Sequence, residues 1–312
     1  MCEAHDMTPP LHHKDLVRTL REAASAWFEA RGCTVRADPH YAYVLADRRK
    51  WAQNVILPEV ADHIGQERVP LHKNVHSGLS SQAMLFILVG PLVVEGDLEP
   101  LRSAFAARGI DWPAGEVTAA FEYEDRAVFN EPRQPTSIDL VLKDGDSAPR
   151  VFVECKLSER GFGGCSVFNR HKCDGRNPAR DFARCYLHRQ GTRYWDVLDR
   201  LGFLAGAFVQ EKQCPLARHY QFFREALFAL ELEGAFVLLC DARNPSFADP
   251  ASGDRGLMSS LLSLVPQRFH ARIRVVSIQQ VIAAVRESGR HNRWVGEFAR
   301  KYGLGQIAGQ GA

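Results

Sequence analysis

This sequence has little that would send it out of the cell or into a membrane. Its first residues, Met1-Cys2-Glu3-Ala4-His5-Asp6, are polar and supply no apolar segment of the kind an export signal needs. The longest apolar run, Ala83 to Val94, is too short to span a bilayer and contains Gly90 and Pro91, so it reads as a buried helix. Cysteine is sparse. Eight in 312 residues do not make a disulfide scaffold; core thiols or metal ligands in a reducing compartment are expected, and with them a cytoplasmic location. An excess of one charge is also missing: at a formal +2, any nucleic-acid partner must be argued from local charge. No internal repeat or low-complexity linker divides the chain, whose 46% hydrophobic and 24% charged residues are ordinary for a globular protein. One domain with an insertion is therefore favoured over two.

Hydrophobic periodicity predicts helices over 16–30, stopped by Gly32; over 49–66, interrupted near Pro58; over 82–88, capped by Ser80 or Ser81 and broken by Gly90-Pro91; and over 98–107, ended by Gly109. Strands are predicted at 117–123, 138–142 and 151–157, the last two joined as a hairpin by Lys143-Asp144-Gly145-Asp146. After a long, poorly periodic stretch from Ser158 to about Gln213 come an amphipathic helix at 220–232, strands at 235–240 and 273–278, and helices near 281–286 and 294–302. This order predicts the α/β class, a mixed central sheet flanked by helices. Residues 1–78 read as an N-terminal helical region packed on a core from 79 to 312, and the core carries the Cys-containing insertion at 158–214.

Side chains alternate faces along a strand, so Glu154 and Lys156 share one face while Val153 and Cys155 take the other. Asp139 is similarly embedded among Ile138, Leu140 and Val141. Charges inside apolar strands are expensive unless compensated, and these three would converge at one edge of the sheet. Two carboxylates there suit Mg²⁺ (or Mn²⁺), a hard cation that takes oxygen ligands. Such an ion polarises a phosphate and makes hydroxide available near neutral pH, while Lys156 would orient the water and offset developing charge.

The run Pro135-Thr136-Ser137-Ile138-Asp139, a short hairpin, and Val153-Glu154-Cys155-Lys156 resembles the signature of the PD-(D/E)xK nuclease superfamily, although the proline and aspartate are not adjacent here. The resemblance implies a restriction-endonuclease-like αβββαβ core, DNA as substrate, Asp139 and Glu154 as Mg²⁺ ligands, and Lys156 as the catalytic lysine. Ser80-Ser81-Gln82-Ala83, Leu157-Ser158-Glu159, and Cys214-Pro215 leading into Tyr220-Gln221-Phe222-Phe223-Arg224 are similar to an uncharacterised bacterial family of restriction endonucleases. The superfamily often adds an acidic residue from its first core helix; that place falls here to Gln82, and Glu124 is the acidic candidate instead, with Glu122 its near rival. Gln221 and Arg224, one helical turn apart, are candidates to touch the phosphate backbone or the attacking water, against the plainer reading of a polar helix face.

Cys165, Cys173, Cys185 and Cys214 all fall in or at the end of the poorly periodic stretch, which is short of core residues and needs something to hold it. A structural Zn²⁺ or a [4Fe-4S] cluster would do so; the irregular intervals, with no CxxC pair, leave cluster, zinc and free thiols all open. Cys155 and Cys240, in strands, are expected in the core, and Cys2 and Cys33 receive no role. From Arg160 to Arg193, eight Lys/Arg stand against Asp174 and Asp181. Arg160, Arg170 and Lys172 are therefore expected to neutralise DNA phosphates, with Tyr186, Tyr194 and Trp195 either stacking on bases or packing within the insertion. The sum is a Mg²⁺-dependent DNA endonuclease with a restriction or defence role; a repair or recombination nuclease and a non-catalytic, metal-stapled DNA-binding protein are the competing readings. Duplex cleavage calls for two active centres, which a homodimer would supply.

Overall fold

A computed structural model describes residues 11–247 and 256–305, so Cys2 and the polar start of the chain lie outside the described residues. Five apolar strands, β1 (Thr118–Glu124), β2 (Ser137–Lys143), β3 (Pro149–Lys156), β4 (Ala235–Cys240) and β5 (Ile273–Ser277), form one sheet in that spatial order. β1, β2 and β3 pair antiparallel, whereas β3, β4 and β5 pair parallel. Parallel pairing requires long crossovers, and these lay helices on the sheet. Before the sheet come α1 (His13–Ala30), α2 (Pro58–Gln66), α3 (Ser81–Val94) and α4 (Glu99–Ala106). The crossover from β3 to β4 holds the short α5 (Ser166–Asn169), α6 (Tyr186–Arg189), α7 (Tyr194–Arg200) and α8 (Ala207–Gln210), then the long α9 (Pro215–Glu231). α10 (Leu257–Leu262) precedes β5, and α11 (Ile278–Ser288) and α12 (Asn292–Lys301) follow it. The molecule is of the α/β class, a mixed sheet flanked by helices.

Alternation along the strands divides the interior in two. Val151, Val153 and Cys155 of β3 join Phe28, Val60 and Phe86 in one core; Phe152 joins Phe236, Phe222 and Trp195 in the other. Helices from the first 78 positions thus share a core with the central strand. Buried Lys301 of α12 ties this side together, its Nζ donating to Asn54 Oδ1 at 2.7 Å and lying 4.0 Å from the centre of the Trp27 ring. Among the described residues no helix is long and apolar enough to cross a membrane.

Local structure departs from the sequence reading at identifiable places. The helix expected to break at Gly90-Pro91 continues to Val94. α3 is buried continuously from Gln82 to Leu92, and that packing offsets the roughly 3 kcal/mol an interior proline costs. Gly90 has its own reason to be there: a Cβ would sit 2.5 Å from Val60 Cγ1, so its absence lets α2 lie against α3. The helix expected over 49–66 is split into a 3-10 segment, Arg48–Asn54, and α2, in whose first turn Pro58 serves as a helix starter.

The insertion is not short of core residues. Phe162, Trp195, Leu198, Phe203 and Phe208 are buried with the Phe222-Phe223 pair of α9. Its helices of four to seven residues complete too few turns to show a 3.6-residue period. Tyr194 and Trp195, at 2% and 1% exposed, pack inward and present no ring to a nucleic-acid base, while Tyr186 is half-buried.

Candidate active site

Glu154 and Lys156 leave β3 on the same face and are almost completely buried, at 2% and 5% exposed. Buried charges must be paired, and here the pairing has three members. Lys156 Nζ donates to Glu154 Oε1 and, at 2.9 Å, to Gln221 Oε1; Gln221 Nε2 donates to the same Glu154 oxygen at 2.7 Å. Burial works against the Lys156 ammonium, but the carboxylates of Glu154, Glu159, Glu225 and Asp139 outweigh it and push its pKa up, so it stays charged.

A break in α9 brings Gln221 to this place. At His219 the backbone leaves helical values (φ −125°, ψ 40°). In an unbroken helix the Ala217 carbonyl would accept from Gln221 N; here it accepts from Cys165 N at 3.0 Å, and Gln221 N donates to Gly163 O at 3.1 Å. The insertion thus fastens onto the start of the helix that holds the lysine.

The β2–β3 ladder ends at the Leu140–Val153 pair, and just beyond it Asp139 Oδ2 accepts the backbone N–H of Cys155 at 2.8 Å. Burial, followed by repulsion from Glu154 and Glu122, drives the Asp139 pKa well up. Glu122 interrupts β1: its neighbours Phe121 and Tyr123 pair with Leu140 and Ile138, while Glu122 itself stands at φ +51°. A non-glycine residue in that region costs about 1–3 kcal/mol, and here the distortion turns a carboxylate toward the other acids. Gln82 of α3 holds it there, donating from Nε2 to Glu122 Oε1 at 2.5 Å, while Ser137 Oγ donates to Oε2 at 2.8 Å. Burial, and then the charges of Glu154 and Glu124, raise the Glu122 pKa despite those two bonds.

One turn beyond Gln221, Glu225 is 1% exposed, and neither of its carboxylate oxygens has a hydrogen-bond partner. Burial and then the Glu154 charge drive its pKa well up, against the pull of Lys156 and Arg224. All these groups line one cavity of about 950 Å³, whose far wall comes from the N-terminal region through Arg36, Tyr41, His72, Lys73 and His76. Arg224 also lines it, with its guanidinium 5.2 Å from the Tyr220 ring centre and a buried, unpartnered Nε.

The structure therefore brings Asp139, Glu154, Lys156, Gln82, Gln221 and Arg224 to one cavity. Glu124 is exposed at the same cavity's border, and its rival Glu122 is the one held among the acids. Arg160, Arg170 and Lys172 do not line it: Arg160 donates to His13 Nδ1 at 3.2 Å beside α1, Arg170 is exposed, and Lys172 borders a separate cavity with the four insertion cysteines. Sequence reasoning missed Glu225 and the N-terminal wall. The one available signal for Glu225 was an acid set between Phe222-Phe223 and Ala226-Leu227-Phe228.

Chemically, the cavity offers hard oxygen donors in negative excess, beside a lysine and an arginine able to meet an anion. That donor set suits Mg²⁺ by type, and the orphaned Glu225 oxygens and mutually repelling carboxyls are what a divalent cation would relieve. As the side chains stand, no three His, Cys, Asp or Glu among the described residues are arranged to hold a metal ion. A family model described as Restriction Endonuclease associating with ARP matches residues 21–303, and the chain belongs to that family. No curated protein and no solved structure matches it.

Proposed function

We propose that this member of a restriction-endonuclease family is a Mg²⁺-dependent DNA endonuclease of the PD-(D/E)xK type with a restriction or defence role. The observation that carries the reading is the meeting of Asp139, Glu154 and Lys156, from adjacent strands, on one carboxylate-rich cavity. The succession α3, β1, β2, β3, α9, β4 supports an αβββαβ core, with α4 placed between α3 and β1 and the cysteine-bearing insertion placed before α9. The family description also names an associate, ARP, which we extend to this chain as a partner.

Asp139 and Glu154 would hold Mg²⁺ (or Mn²⁺), with Glu122 as a third carboxylate. Bound there, the ion would supply Lewis-acid polarisation of the scissile phosphate and a water acidified toward hydroxide. The protein's own groups do the rest. Lys156, fixed by Glu154 and Gln221, offsets the charge that builds on the phosphate. Arg224 has an unsatisfied guanidinium N–H for a phosphate oxygen, and Gln82 keeps Glu122 aimed inward. A homodimer would present two such centres to a duplex.

The test is cleavage of plasmid and linear DNA with Mg²⁺ or Mn²⁺, comparing the natural chain with Lys156→Ala and Asp139→Asn. Each variant is expected to lose at least about 10²–10³-fold in rate. Equal cutting by natural chain and variants overturns the site. Discrete fragments fit a restriction role; trimming from ends points to repair or recombination.

A further inference from the structure

We infer that Cys165, Cys173, Cys185 and Cys214 together bind one thiolate-ligated metal centre, which fastens the insertion to the start of α9. This inference stands whether or not the carboxylate cavity cuts DNA. The four thiols are free, and all four line a single cavity of about 250 Å³, although they lie far apart along the chain. The other described cysteines are placed differently: Cys155 and Cys240 are buried in strands among apolar neighbours, and Cys33 packs against the first core.

Backbone N–H groups point at three of the four sulfurs. Val167 and Phe168 N–H groups hydrogen-bond the Cys165 sulfur, those of Leu216 and Ala217 bond the Cys214 sulfur, and Gly175 N donates to Cys173 Sγ at 3.4 Å. These donors offset only part of what burial does, which is to raise the Cys165 and Cys214 pKa, so a metal would displace the thiol protons as it binds. Charge agrees. Four thiolates around Zn²⁺, or around an iron–sulfur cubane, leave a net negative centre, and Lys172, Arg176, Arg184 and Arg189 border this cavity against the single carboxylate of Asp174. Arg176 and Arg184 share Asp174, each at 3.7 Å, which leaves the cavity border with a net positive charge to meet such a centre.

Zinc binds sulfur at about 2.3 Å, so one ion would need all four side chains drawn in around a point. As the side chains stand, no three His, Cys, Asp or Glu among the described residues are arranged to hold one ion, so the cysteine side chains would have to move to close on a metal. Four cysteine thiolates are equally the ligand set of an iron–sulfur cluster, and metal and sulfide content tell the two occupants apart. On binding, each thiol gives up its proton to solvent and its sulfur lone pair to the metal. The centre would lock Cys165 to Cys214, and with them the Cys165 N to Ala217 O bond that breaks α9 ahead of Gln221.

The test uses the full chain purified without oxygen, assayed for iron, acid-labile sulfide and zinc, with visible spectra before and after dithionite. Cys173→Ser and Cys185→Ser, in half-buried positions, are the variants. Iron and sulfide in equal amounts, with a visible band that bleaches on reduction and is lost in the variants, is the expected result for a cluster. Zinc without sulfide, lost in the same variants, supports the site and identifies its occupant as a single ion. Neither metal in the natural chain, or metal retained by both variants, overturns the inference. Should the variants fail to fold, thiol titration of the natural chain decides: the four cysteines should resist modification until metal is stripped, and equal reactivity before and after refutes the site.

Discussion

Glu225 has a buried carboxyl with no partner one turn past the amide that holds Lys156. A carboxyl whose folded-state pKa is raised favours folding at acid pH. That advantage is lost as pH climbs from the ordinary glutamate value of 4.5 up through the folded one. Glu225→Gln carries no such proton, so its stability relative to the natural chain should grow above pH 4.5 by at most about 1.4 kcal/mol per pH unit. Denaturant titrations at several pH values measure this; parallel stability profiles would contradict the assignment. At this scale the sequence was informative where strand alternation rules. Glu154 and Lys156 could be placed on one face because β3 pairs regularly from Val151 onward, and Asp139 because its neighbours are apolar. Glu122 could not be preferred to Glu124, because that choice depends on a backbone excursion to φ +51° that no residue type announces. Glu225 was hidden for a different reason: a lone acid in a helix reads as solvated until the fold buries it.

Among the elements, α3 owes its place to an absence. With no Cβ at Gly90, Val60 can approach, and Gly90→Ala should destabilise the protein by about 1–3 kcal/mol through overpacking. Adding Val60→Ala should recover part of that loss, since the clash is with Val60 Cγ1; a thermal-denaturation cycle reads the coupling, and strict additivity would disprove the contact. The same helix shows where element prediction runs out. Gly90-Pro91 is a breaker by local rules, yet burial on every side overrides them. The five strands were legible as apolar runs, whereas the short helices of the insertion were not, their side chains being ordered by aromatic contacts made far along the chain, such as Tyr194 with Phe129.

Across the whole molecule, the cavity joins two parts that sequence reading separated. Its carboxylates come from the sheet, the segment just after β3 and α9, and Arg36 and Lys73 come from the N-terminal region. The local excess of Lys/Arg drew attention to the insertion, but a count along the chain cannot tell which cations face a given cavity. Arg36→Ala and Lys73→Ala should each weaken DNA binding alike across sequences and lower the salt slope by about 1. Binding isotherms over a salt series check this, and unchanged slopes in both would exclude that wall from the DNA path.

The crossover between β3 and β4 has one more consequence. The chain leaves β3 at Lys156 and does not return beside it until Ala235. The β2–β3 hairpin closes over a short turn, but its parallel neighbour waits for everything in between, and closing long loops is slow. During synthesis, then, the lysine and glutamate emerge early and remain in water without the amide that aims them. A cavity laid out in this order is completed only when α9 has been made, well after its strand residues.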